Sequence, residues 1–326
     1  MRNAFAACVV AIAMLASTVH AQTGVTWNPG GPDPGLWSNP ANWGGTVPVS
    51  GYKAFINNST VGPCIVDGVA GGCQITIANG GGPSTLIVTN GGDLTAGDTN
   101  GDIHNIGWTQ IGGSGTGSMI IENGGNVKFM LHLWVGQDPG GVGTLIMNGG
   151  TASVTNHPDG NWQLGSGGTG YIYMNGGTLF LLKWDGTNQV NGASHIDIAG
   201  GTIIVNGDKT GIINSLKDAG KITAYGGSGT LNIDYNNINP GKTTISAQGI
   251  GVSGRKIKSI EVNGGNVTIK YETTSGGMYH LESSASLSPA SWATVPGSTV
   301  TASGTEEIFS FPIPSNEPTF FRVASP

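Results

Sequence analysis

The stretch that decides the fold is Gly143-Thr-Leu-Ile-Met-Asn148-Gly-Gly, a β-rich run that leads directly into a glycine turn. Related blocks place the same turn at Asn90, Asn123 and Asn175, and Ala199-Gly-Gly closes the series, so that successive turns lie 33, 25, 27 and 24 residues apart. A repeat of this length predicts a stacked solenoid in which each strand pairs with its counterpart one coil later, at ~4.8 Å per layer. Asn-Gly is also a hairpin signal, which leaves a meander of hairpins as the alternative. The long period favours parallel stacking.

The composition supports a β-rich fold and narrows the class of partner. Glycine accounts for 58 of the 326 residues and charged residues for only 10%. Disorder is disfavoured because Ile, Val, Leu and Trp recur in strand-sized runs. The net charge of −6 comes without a basic patch, so we do not expect nucleic acid as a partner.

The N-terminus has the form of an export signal. Met1-Arg-Asn is a short positive start, Ala4 to Ala16 is apolar, and Val19-His-Ala21 fits the small-residue rule for signal peptidase. We therefore predict a signal peptide over residues 1–21 and a secreted, extracellular or cell-surface protein of bacterial origin. No second apolar run follows, so no transmembrane anchor is expected.

After removal of the signal peptide, two cysteines remain, Cys64 and Cys73, nine positions apart. In an oxidising compartment such neighbours are expected to form a disulfide. A zinc site is the poorer interpretation, because two thiols without further Cys or His ligands do not complete a tetrahedral set.

After the signal peptide, residue composition and repeat pattern divide the chain into three parts. Residues 22–60 carry Trp27, Trp37 and Trp43 among Pro and Gly, and we predict an N-terminal cap that hides the open edge of the first layer. Residues 61–250 are predicted to form the β-helix, with about 25-residue rungs and a helix from Ile212 bracketing its far end. Residues 254–326 alternate short strands with turn prolines, which predicts a small antiparallel β-sandwich.

Several motifs resemble a known family. They are Trp37-Ser-Asn-Pro-Ala-Asn-Trp43, the Gly-Thr-Leu-Ile-Met-Asn-Gly-Gly repeats and Gly220-Lys-Ile-Thr-Ala-Tyr225. Together they look like the autotransporter-passenger-like β-helix proteins that many bacteria export. The tail, with Tyr279-His-Leu-Glu282, Trp292 and Phe321-Arg-Val, is similar to a small C-terminal β-domain of such proteins. The resemblance implies an all-β fold, a single-stranded parallel β-helix followed by a sandwich, and says little about activity.

An enzyme of this fold would need clustered acids or an acid and a base, and the coil shows no such pattern. The sequence has no arginine between Arg2 and Arg255, and we assign no catalytic residue. The isolated acids suit turns, and the histidines show no ligand spacing. The acids are Glu122, Asp138, Asp159, Asp185 and Asp197, and the histidines are His104, His132, His157, His195 and His280.

Two groups of residues are candidate binding sites, one for a calcium ion and one for sugar rings. The oxygen-bearing residues Asp98, Asn100 and Asp102 stand at alternate positions, as the ligands of calcium loops do, so calcium is the one cofactor to consider. Ile103 and Thr109 stand where a full EF-hand loop would have Gly and Glu. A polar insertion loop is the simpler interpretation. Four tryptophans each precede the residue that opens the next Gly-Gly turn by 13 to 15 positions. Facing outward they would form an aromatic ladder for sugar rings, and facing inward they would fill the core. They are Trp108, Trp134, Trp162 and Trp184.

These observations predict a secreted, non-catalytic structural or adhesive protein. Its partners would be the cell surface, the extracellular matrix or further copies of itself in a filament, because exposed coil ends template further strands. The alternative is a polysaccharide-binding or polysaccharide-degrading β-helix protein. Acids and a base gathered on one face would favour that alternative, and an uncharged face would favour assembly.

Overall fold

A computed structural model describes residues 23–29, 35–57, 62–80, 82–97, 107–154, 159–248, 257–273, 277–285, 292–312 and 319–324. The predicted signal peptide therefore lies outside the described residues. The chain divides into two compact units. The solenoid unit comprises the described residues up to Gly227 with Leu231–Ala247, and the C-terminal unit comprises Ser228–Thr230 with the described residues from Gln248 onward.

The solenoid unit is built from short strands that return with the period of the sequence repeat. It makes about seven turns. In chain order its elements are β1 (Thr23–Thr26), β2 (Tyr52–Ile56), β3 (Cys64–Val66), β4 (Val69–Gly72), β5 (Gln74–Ile77), β6 (Ser84–Val88), β7 (Asp93–Ala96), β8 (Trp108–Ile111), β9 (Thr116–Ile121), β10 (Asn126–Phe129), β11 (His132–Val135), β12 (Val142–Val154), β13 (Asn161–Leu164), β14 (Thr169–Leu181), β15 (His195–Ile198), β16 (Thr202–Asn206), α1 (Thr210–Asp218), β17 (Ile222–Ala224), β18 (Thr230–Tyr235) and β19 (Lys242–Gln248).

The strands stack into three parallel faces. The first face runs in the order β1-β2-β5-β8-β11-β13. The second face contains β3, β6, β9, the first halves of β12 and β14, then β15 and β17. The third face contains β4, β7, β10, the second halves of β12 and β14, and β16. The prediction of a parallel β-helix is confirmed, and the hairpin meander is excluded for this unit.

Like residues stack on like inside the coil. Alternate residues of each strand point inward, and the parallel register places equivalent positions of successive coils directly above one another. Each such aliphatic side chain stabilises the fold by roughly 1.5–3 kcal/mol when it is fully buried. One column on the second face contains Leu86, Met119, Leu145, Ile172 and Ile196, all of them at most 1% exposed.

Stacked glycines form the corner between the first and second faces. Gly117, Gly143 and Gly170 are register partners on successive coils. A Cβ added at Gly143 would lie 2.0 Å from the carbonyl oxygen of Ile111 in the preceding coil. The glycines are therefore required at this corner by the close approach of neighbouring backbones, in addition to the turns themselves.

Bulky or irregular elements cover the two ends of the solenoid core. Near the N-terminus, Trp43 packs edge-on against Trp27 and Trp37, with centroids 5.1 and 4.7 Å apart. All three rings are at most 2% exposed. At the other end the predicted helix is present as α1, and β19 runs antiparallel to β16, which ends the parallel series. The helices in the described ranges are all too short or too polar to span a bilayer.

The structure shows no bond between Cys64 and Cys73, so the predicted disulfide is not observed. Cys64 opens β3 on the second face, whereas Cys73 follows β4 on the third face. The chain therefore turns from one face to the next between the two cysteines. Burial, with a smaller contribution from Asp67, raises the pKa of the Cys64 thiol well above its ordinary value. Cys64 therefore behaves as an apolar core side chain.

The C-terminal unit is a small antiparallel sandwich, as predicted. Its sheets have the orders β20-β21-β25 and β23-β22-β24, with β26 also paired to β22. A hairpin at Asn263-Gly-Gly joins β20 to β21, with Gly264 and Gly265 at positive φ. The strands are β20 (Ile257–Asn263), β21 (Asn266–Glu272), β22 (Met278–Ser284), β23 (Ala293–Thr294), β24 (Val300–Thr301), β25 (Glu306–Pro312) and β26 (Phe320–Ala324).

The tail motif noted in the sequence forms one cluster in this unit. Glu282 is the register partner of Arg322, and its carboxylate accepts a hydrogen bond of 2.5 Å from the guanidinium. The same guanidinium lies 4.5 Å from the centroid of the Trp292 ring. Tyr279 is fully buried in the core. The motif is therefore structural in this unit, because it ties β22 to β26.

Glu306 should make the stability of the C-terminal unit depend on pH. Hydrogen bonds from Lys258 and Lys270 lower the pKa of its carboxyl from 4.5 to about 2. Because the folded pKa is depressed, the stabilisation is complete above the unfolded pKa and is lost as pH falls from about 4.5 to about 2. We expect the thermal midpoint of the Glu306→Gln variant to fall less steeply over this interval than that of the wild type.

Circular dichroism melts of the full chain across this interval measure the effect. Glu261→Gln is the matched control, because the Glu261 carboxylate is exposed and makes no ion pair with a described residue. Parallel pH profiles for the wild type and the Glu306→Gln variant would show that this ion-pair network does not contribute.

Candidate functional site

The outer surface of the first face carries an alternating pattern of aromatic and amide side chains. Each of the strands β8, β11 and β13 presents its first and third residue outward, because its fourth residue is a buried aliphatic side chain. The register places the outward residues of the three strands side by side in two columns. We call this set the aromatic face, and it consists of Trp108, Gln110, His132, Trp134, Asn161 and Gln163.

Three rings of the aromatic face lie in contact. The centroids of Trp108 and His132 are 6.1 Å apart, and those of His132 and Trp134 are 5.6 Å apart. The ring planes meet at 62° and 58°, so they form inclined walls and not a single flat plate. Trp108 is 38% exposed, which leaves much of its indole free to contact a ligand.

The amides on the N-terminal side of the aromatic face are held by a chain of hydrogen bonds. Gln74 donates to the Thr76 hydroxyl at 3.3 Å, and that hydroxyl donates to Gln110 Oε1 at 3.3 Å. Gln110 Nε2 in turn donates to Gln137 Oε1 at 2.5 Å. Gln74 and Thr76 are on β5, Gln110 is on β8 and Gln137 follows β11, so successive coils fix the amide of Gln110 before any ligand arrives.

The amides of β13 are held in the same way. Gln189 Nε2 donates to Asn161 Oδ1 at 3.0 Å, and the backbone amide of Trp162 donates to the same oxygen at 2.9 Å. Gln163 Nε2 donates to the carbonyl of Asn188 at 3.4 Å. The polar groups of the aromatic face are thus positioned by neighbouring coils, and a ligand would not have to order them.

The aromatic face is neutral and contains an unused donor. Within the described strands β2, β5, β8, β11 and β13, the outward positions hold no carboxylate, and their one cation is Lys53. Trp134 Nε1 is buried and donates to no acceptor in the described part of the chain. A buried N–H without an acceptor is uncommon.

No protein-family model, curated protein or solved structure matched this chain. The aromatic face is therefore interpreted from its own residues. Aromatic rings beside fixed amides, without a charged group between them, are suited to an uncharged ligand with both apolar and hydroxyl surfaces.

The four tryptophans proposed as a ladder separate into two pairs. Trp108 and Trp134 lie on the aromatic face, whereas Trp162 and Trp184 are in the core at no more than 2% exposure. The buried pair packs edge to face, with centroids 4.6 Å apart and planes at 89°. Trp162 occupies the inward column of Leu133, one position out of phase with Trp134.

Among the described residues, the acids noted in the sequence do not assemble into a metal site. Asp98, Asn100 and Asp102 lie outside the described residues. Over the described ranges, no group of three or more His, Cys, Asp or Glu side chains is placed to hold a metal ion. Glu122 has a role in a turn, where its carboxylate accepts a hydrogen bond of 3.1 Å from Asn148 Nδ2 of the next coil.

Sequence reasoning did not find His132 or the amides of the aromatic face. A signal for them is present in the glycine that directly follows each strand, at Gly112, Gly136 and Gly165, each with φ between +67° and +70°. Counting back from that glycine gives the direction of every side chain in β8, β11 and β13. Counting forward from each strand to the next Asn-Gly-Gly turn does not give these directions, because the segments between strand and turn differ in length.

Proposed function

We propose that this protein is an exported bacterial adhesive protein that binds a neutral polysaccharide on its aromatic face without cleaving it. The observation that carries the proposal is the contact of Trp108, His132 and Trp134 on a surface with pre-positioned amides, where the outward positions of the described strands hold no carboxylate. Tryptophan offers an apolar surface to the C–H face of a sugar ring, and amides exchange hydrogen bonds with its hydroxyls.

A binding role is supported over a catalytic one by the chemistry of the face. Hydrolysis of a glycosidic bond generally requires two carboxylates across the scissile bond. The described strands of the aromatic face present none outward. The acid–base group among the described outward residues of the aromatic face is the His132 imidazole, which by itself does not supply the pair of groups that hydrolysis requires.

The export and family assignments in this proposal rest on the sequence. The apolar N-terminal segment ending at Ala21 and the motifs shared with autotransporter-passenger-like β-helix proteins support secretion. The β-solenoid of about seven turns is compatible with that family. An adhesive role fits a fold that displays many coils along one extended surface.

Affinity electrophoresis of the mature protein through gels containing neutral or acidic polysaccharides tests the proposal. We expect a neutral polysaccharide to retard the wild type, and calorimetry with the matching oligosaccharide to give its affinity. Removing both indoles in the Trp108→Ala/Trp134→Ala variant should weaken binding about 10- to 100-fold, since each aromatic contact is worth about 1 kcal/mol.

Two further variants show whether a loss of binding is specific to the aromatic face. Trp108→Ala alone changes a partly exposed side chain and should weaken binding about 10-fold without affecting folding. Phe180→Ala removes an outward ring on the third face and should leave binding unchanged. A wild type with unaltered mobility across the whole polysaccharide panel, or release of reducing ends during incubation, would contradict the proposal.

A further inference from the structure

A second cluster of aromatic and polar side chains lies at the C-terminal end of the second face. Tyr171 and Tyr173 are outward neighbours on β14, and their register partners on the next coil are His195 and Asp197. Thr223 on β17 is in turn the register partner of Asp197. Three successive coils therefore bring these five side chains together, and we call them the tyrosine patch.

Hydrogen bonds within the tyrosine patch fix the tautomer of the imidazole. The Thr223 hydroxyl donates to Asp197 Oδ1 at 2.5 Å, and the same hydroxyl oxygen lies 2.8 Å from His195 Nε2. A hydroxyl has one proton, and a carboxylate can only accept, so the proton in the His195 contact must come from Nε2. The neutral ring then carries a lone pair on Nδ1, which is an acceptor for a ligand hydroxyl.

The carboxylate is held in place from a second side. Asp197 Oδ1 also accepts a hydrogen bond of 2.8 Å from the backbone amide of Gly226. The turn that supplies this amide has positive φ at Tyr225 (50°) and at Gly226 (64°). A positive φ is unfavourable for tyrosine, and such backbone strain is concentrated at sites where the position of a group matters. Tyr225 is also 37% exposed at the edge of the patch.

The two tyrosines provide the surface that a ring-shaped ligand needs. Their ring planes differ by only 9°, their centroids are 6.2 Å apart, and Tyr173 is 37% exposed. The Lys221 ammonium donates a hydrogen bond to the carbonyl of Gly192. The patch thus combines apolar rings, phenol hydroxyls and an imidazole nitrogen.

We propose that the tyrosine patch is a second saccharide-binding site, in which a sugar ring packs on Tyr171 and Tyr173 and one of its hydroxyls donates to His195 Nδ1. The ligand class rests on the proposed polysaccharide-binding function, whereas the tautomer and the position of the patch do not. Two sites on different faces allow one molecule to hold two glycan chains, which suits an adhesive role.

Calorimetry with the neutral oligosaccharide selected for the aromatic face tests this inference on the intact mature protein. We expect two bound oligosaccharides per wild-type chain and one for the Tyr171→Ala/Tyr173→Ala variant. His195→Gln keeps an amide N–H near the position of Nε2 but removes the Nδ1 acceptor. It should therefore weaken the second site about 10-fold, the value of one good hydrogen bond.

The outcomes separate this inference from the proposed function. Unchanged stoichiometry in the tyrosine double variant, with binding lost in the Trp108→Ala/Trp134→Ala variant, would overturn the tyrosine patch alone. Binding lost only in the tyrosine variant would overturn the aromatic face alone. Phe180→Ala serves as the control for both. Independently of any ligand, nitrogen NMR of selectively labelled histidines should show that the neutral His195 ring carries its proton on Nε2, and a neutral ring with its proton on Nδ1 would overturn the assigned tautomer.

Discussion

Gly143→Ala is expected to destabilise the solenoid unit by about 3 kcal/mol, at the upper end of the usual cost of overpacking. Gly143 does not have a positive φ, so the effect would come from space alone. The new Cβ would lie 2.0 Å from the Ile111 carbonyl oxygen and 2.4 Å from the Gly136 amide nitrogen. Both are backbone atoms of neighbouring segments, so relief requires two coils to move apart and lose core contacts.

Urea unfolding followed by tryptophan fluorescence measures this effect. Gly68→Ala is the matched control, because Gly68 has no positive φ and an added Cβ would meet nothing within 4 Å. We expect the control to change the free energy of unfolding by no more than about 0.5 kcal/mol. Equal unfolding midpoints for Gly143→Ala and the wild type would show that this corner has room for a methyl group.

Trp162→Ala is expected to cost about 3–5 kcal/mol in the free energy of unfolding, the range observed when a large buried ring is removed. Trp162 is 2% exposed, packs edge-on against Trp184, and donates from Nε1 to the Lys183 carbonyl at 3.0 Å. The substitution leaves a cavity, an unpaired Trp184 face and a carbonyl without its donor.

The same residue type on the outer surface provides the comparison. Trp108→Ala removes an indole that is 38% exposed, so we expect a change below about 1 kcal/mol. Chemical denaturation monitored by far-ultraviolet circular dichroism measures both variants without depending on the indole that is removed. Similar losses for the two variants would mean that Trp108 contributes to the core as much as Trp162 does.

The sequence determined the architecture because the architecture depends on a period. Blocks ending in Asn148-Gly-Gly recur every 24 to 33 residues, and only parallel stacking puts such blocks in register. The helix that follows Thr210 and the hairpin at Asn263-Gly-Gly were predictable for a similar reason, since each depends on a few consecutive residues.

The tertiary structure decided which side chains meet. Whether Trp134 faces out and Trp162 faces in depends on strand parity, and a shift of one residue reverses it. Cys64 and Cys73 are nine positions apart in sequence, yet they belong to different faces of the coil and are not bonded. Conversely, His195 and Thr223 are 28 residues apart and hydrogen-bonded. The solenoid brings equivalent positions of successive coils together at ~4.8 Å, so its surface chemistry follows from register, which the repeat spacing alone does not specify.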